Sequence, residues 1–185
     1  HLVDAISGIE LDLSNQRVVR VDAERTRQEL PPFRSEERKL RIQRLLTFYC
    51  RSHAIPYRQG MNEVLAPLLM LKKPSKGVKD GDETVETRKE EEDTFGDDIV
   101  YAMLQRVATR LAPAAYAEDD DFVGLQCALR FFRLLLQYHD PTLSSCLDQN
   151  DCPPELFATP WIVTLFARST PPRAVFLLWD WLLLQ

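Results

Sequence analysis

Between residues 35 and 52 the apolar side chains Ile42, Leu45, Leu46 and Tyr49 recur at i, i+3, i+4 and i+7, the spacing that puts all four on one face of an α-helix. The stretch therefore predicts an amphipathic helix with one buried face. Ser35 can cap its start, and Glu36 and Glu37 fall in the first turn, where the helix dipole favours negative charge. The run His53–Ala54–Ile55–Pro56 ends it, because proline disfavours the α conformation in the residue before it. A second helix is expected from near Gly60, with Met61, Val64, Leu65, Leu68 and Leu69 facing inward and Pro67 introducing a kink. Helical patterns resume at about 98–111, 122–138, 155–157, 161–168 and 173–184, and the prolines at 141 and 171–172 suit helix starts. No stretch sustains a period of two between turn signals, so a sheet is not expected. The fold class is all-α, with helices of ordinary length joined by short turns.

One segment departs from this pattern. Residues 72–93, KKPSKGVKDGDETVETRKEEED, hold Val78 and Val85 as their only large apolar side chains, too little to offset the entropy of ordering. A mobile, solvated insert is expected there, within one domain spanning residues 1–185. The 185 residues are 45% apolar and 28% charged, enough to build a sizeable core. A net charge of −5 lacks the basicity of a nucleic-acid binder. The six glycines are scattered, and none opens a GxGxxG fingerprint or a phosphate-cradling P-loop, so nucleotide binding by those routes is not expected.

Cys50, Cys127, Cys146 and Cys152 contain no CxxC spacing, and the three histidines form no HxxxH pair, so no metal site is expected. Four cysteines without a secretory leader read as reduced thiols of a cytoplasmic protein. The longest apolar stretch, 174–184, is interrupted by Asp180 and is far shorter than the roughly 20 residues of a membrane span, so no direct membrane insertion is expected. The chain opens without methionine and stops within that apolar stretch. It is therefore expected to be a piece of a longer polypeptide, lacking its last helices.

Two short segments are unlike packing sequence. The first is Val19-Arg20-Val21-Asp22-Ala23-Glu24-Arg25-Thr26, and the second is Tyr57-Arg58-Gln59-Gly60-Met61-Asn62. Asp22 and Arg25 are three apart, so on one helical turn the carboxylate can hold the guanidinium. A planar, permanently charged guanidinium suits phosphate oxygens. Gln59 precedes Gly60, whose missing side chain permits a sharp turn and the close approach of a ligand to the backbone.

Val19-x-x-Asp22-x-x-Arg25-Thr26 resembles the IxxDxxR motif, and Tyr57-x-Gln59-Gly60 the YxQ motif, of the TBC-domain GTPase-activating proteins for Rab GTPases. Trp161-Ile162-Val163-Thr164-Leu165-Phe166 and Leu178-Trp179-Asp180 are similar to the later tryptophan segments of that family. The order and separation of these motifs in a helical chain carry the resemblance, which covers most of the sequence. The family's upstream tryptophan segment has no clear counterpart near residues 1–15.

The resemblance implies a multi-helix TBC (Rab-GAP) fold and a dual-finger mechanism acting in trans on a Rab-type small GTPase in vesicle trafficking. Arg25 would neutralise charge developing between the β- and γ-phosphates, and Gln59 would orient the attacking water. GTP and Mg²⁺ would be carried by the partner, with no cofactor bound by this chain. Supporting roles fall to Asp22, which would orient Arg25, and to Thr26, which would brace that turn. Tyr57 would buttress the glutamine loop by stacking, Gly60 would admit the nucleotide, and Asn62 would fix the loop by side-chain hydrogen bonds. Arg58, opposite Gln59 in an extended segment, would contact the GTPase surface.

Plainer readings stand beside these. Asp22–Arg25 alone is an ordinary surface ion pair, worth roughly 0.2–0.5 kcal/mol, and Gln59 alone is a turn residue. Trp161, Phe166, Trp179 and Trp181 are core candidates. Asp180, between two tryptophans, is expected as a satisfied buried or capping carboxylate, and His53 and His139 are assigned no chemistry. The basic stretch of Arg34, Arg38, Lys39, Arg41 and Arg44 is expected as a solvated helix face, with docking on an acidic patch of a partner GTPase as the alternative. A non-catalytic, TBC-like scaffold that binds a small GTPase or another trafficking partner is the alternative to the activator. A monomer recruited to membranes only through the GTPase is expected in either case.

Overall fold

A computed structural model describes residues 1–74, 94–113, 116 and 122–185. Among them the elements are α1 (Leu2–Ser7), α2 (Gln16–Arg25), a 3₁₀ turn (Pro31–Phe33), α3 (Glu36–Ser52), α4 (Met61–Leu68), α5 (Asp97–Leu111), α6 (Val123–His139), α7 (Pro141–Gln149), α8 (Pro154–Thr164) and α9 (Pro172–Leu183). The described residues include no β-strand, only an isolated antiparallel bridge between Lys72 and Thr94. The all-α expectation holds. The expected insert at 72–93 lies, from residue 75 on, outside the described residues.

Helix α3 organises the amino-terminal half. Ile42, Leu45, Leu46 and Tyr49 are all buried on its inner face, as their spacing predicts. Ser35 Oγ accepts from the Arg38 N–H at 3.2 Å, which satisfies one of the N–H groups left open at the helix start. Around that face pack α1, α2, α4, α5 and the 3₁₀ turn. The shared core includes Ile6, Val19, Phe33, Leu65, Val100 and Leu104. Burial pushes the Cys50 thiol up to about 12 and, with Cys50 and Tyr101 nearby, the Tyr49 phenol up to about 12.

Helix α4 begins directly after Gly60, as expected, but it is short. Pro67 falls in its last turn and ends the helix at Leu68 instead of kinking a longer one.

In the carboxy-terminal half, α6 packs on α7 and α8, and α8 packs on α4. Phe132 of α6 meets Phe157 and Trp161 of α8 edge-on, at 6.3 and 6.5 Å between ring centroids. Arg133 binds Asp148 of α7 and Glu155 of α8. Asp140 caps α7, its Oδ1 accepting from the Leu143 N–H at 2.9 Å ahead of Pro141 in the first turn. Residues 155–157 and 161–168, expected as separate pieces, belong largely to one helix that runs through Pro160. The proline leaves the Leu156 carbonyl without an i+4 donor, and Leu156 is exposed, so water can satisfy it.

The aromatic expectation is corrected in part. Trp179 is buried and donates its indole N–H to the Leu165 carbonyl at 2.9 Å. Trp161 is half-buried and Phe166 is exposed, stacked on Trp161 with 5.8 Å between centroids. Trp181 is 60% exposed, off the α9 face that buries Val175 and Trp179 and packs Leu178 and Leu183 against the core. Asp180, off that face, is exposed instead of buried or capping. The basic face of α3 is half-buried at Arg38 and Arg41, with Arg38 over the Phe33 ring and Arg41 paired with Asp97. Phe131, Leu134 and Tyr138 of α6 lie exposed along one flank.

Candidate functional site

The two motif segments become the last turn of α2 and the turn entering α4. Val19 and Ala23 are buried on the inner face of α2, whose packing against α3 fixes where its C-terminal turn ends. Arg25, the last residue of α2, is exposed. Gln59, one residue before the glycine that starts α4, is exposed as well. Neither side chain has an ion pair or hydrogen bond among the described residues.

The residues flanking these two side chains are cross-linked. The buried Tyr57 hydroxyl donates to Asp22 Oδ2 at 2.8 Å and lies 3.2 Å from Asn62 Oδ1. Asn62 Oδ1 accepts the Gly60 N–H at 3.2 Å, and its Nδ2 donates to Thr26 Oγ1 at 2.9 Å. Thr26, wholly buried, returns its own proton to the Asp22 carbonyl at 2.6 Å. Asn15, the residue before α2, donates to the Tyr57 carbonyl at 2.8 Å. Arg25 is thus bracketed by Asp22 and Thr26, and Gln59 by Tyr57 and Asn62, with a side-chain bond from each bracket to the other. Burial, reinforced by the Asp22 charge, raises the Tyr57 phenol far above its ordinary range, so it stays a proton donor at any physiological pH. Buried networks of this kind specify one arrangement because every broken link leaves a polar group without water.

Two expectations change in detail. Asp22 makes no ion pair with Arg25 among the described residues; its carboxylate faces inward and takes the Tyr57 proton. Tyr57 accordingly braces the glutamine turn through its hydroxyl, where stacking was expected. Thr26 and Asn62 make the hydrogen bonds given above. Arg58 lies half-buried, its guanidinium 4.2 Å from the Phe122 ring centroid in a cation–π contact within the chain.

Gly60 has φ +104°, a conformation that disfavours side chains, and a Cβ there would lie 2.6 Å from Val163 Cγ1. The end of α8 therefore closes over the glutamine turn. Three non-glycine residues with positive φ surround the same junction: Arg27 at +48°, Leu165 at +49° and Phe166 at +63°. Arg27 and Glu63 were not singled out by sequence reasoning. The Arg27 side chain bonds the Ala167 carbonyl and pairs with Glu63 at 3.4 Å and Glu29 at 3.8 Å. Burial raises the Glu63 carboxyl above its ordinary range, an effect opposed by Arg27 and Arg168. The only local signal for either residue is a charge within four positions of a motif, which is too common to be diagnostic. Among the described residues no group of His, Cys, Asp and Glu could hold a metal ion. No helix among them is long and apolar enough to cross a membrane.

The fold is that of the crystal structure of the Ypt/Rab-GAP domain of Gyp1p, with a TM-score of 0.70 at 15% identity over 98% of this chain and 58% of that one. Residues 8–185 match the family model of the Rab-GTPase-TBC domain, and the chain belongs to that family. It is 27% identical over 183 residues to the TBC domain-containing protein kinase-like proteins of Homo sapiens, Mus musculus and Gallus gallus. The match covers 98% of this chain but 18% of those relatives' length.

Proposed function

We propose that this domain accelerates GTP hydrolysis by a Rab-type small GTPase, with Arg25 and Gln59 entering the partner's nucleotide site together. Phosphoryl transfer requires positioning and charge stabilisation more than covalent help. Arg25 neutralises charge developing on the transferring group, and Gln59 orients the attacking water. GTP and Mg²⁺ belong to the partner. The reading rests on one observation: the buried Asp22–Tyr57 and Thr26–Asn62 bonds join the two turns, and each turn carries an exposed side chain with no ion pair or hydrogen bond among the described residues, the arginine Arg25 and the glutamine Gln59. The network fixes both turns and leaves both functional groups outside. An arginine finger accelerates Ras-type hydrolysis by roughly 10³ to 10⁵, or about 4–7 kcal/mol of barrier, which sets the scale expected here.

Single-turnover hydrolysis across a panel of Rab proteins tests this. Arg25→Ala and Gln59→Ala should each remove most of the acceleration while melting at the parent temperature; full activity in both variants refutes the assignment. The same experiment separates an activator from a recruiting scaffold. An activator binds the GDP-loaded partner more tightly when aluminium fluoride supplies a γ-phosphate mimic, because it is complementary to the transition state. A scaffold binds equally with and without the fluoride. A cytoplasmic monomer brought to membranes by its GTPase is the setting in which this activity would operate.

A further inference from the structure

We infer that Arg27, clamped between Glu63 and the Ala167 carbonyl, is a positioning residue that sets the relative placement of the arginine and glutamine turns. The inference rests on the dual-finger reading and adds to it a third segment, the chain leaving α8. Arg27 stands two residues after Arg25, and Glu63 stands four after Gln59 in the first turn of α4. Their side chains are only 12% and 18% exposed, so the contact is shielded from water and from salt. The guanidinium fork is suited to this task because one planar group can face a carboxylate and a carbonyl at once.

Backbone geometry points to the same junction. Arg27, Leu165 and Phe166 all hold positive φ without being glycine, and Gly60 does so opposite Val163. Conformations of this kind persist where the surroundings over-determine them, and three of the six described non-glycine residues with positive φ stand where α2, α4 and α8 meet, the others being Ala54, Phe122 and Asp151. The Thr26–Asn62 and Tyr57–Asp22 bonds hold α2 to α4, but the Arg27 bond to Ala167 is the side-chain hydrogen bond that ties the α2 turn to the segment after α8. Without it the α2 turn keeps its neighbours but loses its lateral stop. A misplacement of about 1 Å at a reacting group can cost about 100-fold in rate.

The test is steady-state activation of a responsive Rab by the parent, Arg27→Ala, Arg27→Lys, Glu63→Ala and the Arg27→Ala/Glu63→Ala pair, with Arg25→Ala alongside and melting recorded for each. Arg27→Ala should lower kcat by about 10- to 100-fold, with KM for the GTPase within about threefold of the parent. Arg27→Lys, which keeps the charge and one donor, should recover part of the loss. The double variant should be no worse than Arg27→Ala, since the two side chains act as a unit. A raised KM with unchanged kcat would make Arg27 a contact for the partner and overturn the proposal. So would unchanged kinetics in a variant that merely melts earlier. Arg25→Ala separates the two levels: if it is inactive while Arg27→Ala is fully active, only the clamp fails. If Arg25→Ala is itself fully active, the finger reading fails and the clamp has nothing to position.

Discussion

Replacing Tyr57 by Phe removes a single oxygen from the centre of the network. The ring still fills its buried site, so no cavity opens, and the change isolates the hydroxyl. What is lost is its donation to Asp22 Oδ2 at 2.8 Å, a bond to a carboxylate that is only 8% exposed. Hydrogen bonds to charged groups contribute about 1.5–3 kcal/mol, and the partner left behind must be satisfied by a water that has little room to enter. The expected destabilisation is therefore about 1.5–3 kcal/mol. In a domain of this size each kcal/mol moves the midpoint by about 2–4 °C, so Tm should fall by roughly 3–12 °C. Urea titration and thermal melting of Tyr57→Phe, Asp22→Ala and the double variant form the cycle. The coupling between the two sites should reach at least about 1 kcal/mol. An unchanged midpoint in Tyr57→Phe, or additivity within about 0.3 kcal/mol, would refute the claim that this bond holds the turns together.

The other expected outcomes concern different parts of the molecule. Gly60→Ala forces a Cβ into a backbone at φ +104° and to 2.6 Å from Val163 Cγ1; it should destabilise by about 2–4 kcal/mol and sharply reduce activation, read by melting and single-turnover hydrolysis. Ser35→Ala removes the cap of α3 and should cost about 1 kcal/mol in urea titration while leaving activation at the parent level. The Cys50 thiol and the Tyr49 phenol, at 9.0 and 10.0 ordinarily, both bind their protons more tightly in the folded state. Above pH 9 the unfolded chain therefore releases protons that the folded chain keeps, and stability should fall as pH rises from about 9 to 12. Melting against pH checks this, and Cys50→Ala should flatten the lower part of that slope.

Local physics made the first half of the fold legible. The stripe Ile42, Leu45, Leu46 and Tyr49, the Ser35 cap and the Gly60 start of α4 are decided within a few residues, and each stands where expected. Distant partnerships were not legible. Asp22 sits three residues from Arg25, yet its carboxylate partner is Tyr57, 35 residues away. Arg27 and Glu63 carry no local pattern, and their meeting depends on how α2, α4 and α8 converge. Residue type misled at Trp181, where an indole was assigned to the core although its position on α9 turns it outward. The two spans 155–157 and 161–168 were likewise expected apart, although one helix runs through Pro160 beside an exposed Leu156.

Helix α7 leans on α6, α6 on α8 and α8 on α4, with Val163 seated against the bare Cα of Gly60. Any load on the outer flank formed by Phe131, Leu134 and Tyr138 is thus passed along a short chain of contacts to the turn that carries the glutamine. With Val163 this near the Gly60 Cα, the outer helices and the glutamine turn share one wall, and side-chain volume added at position 60 would have to displace α8.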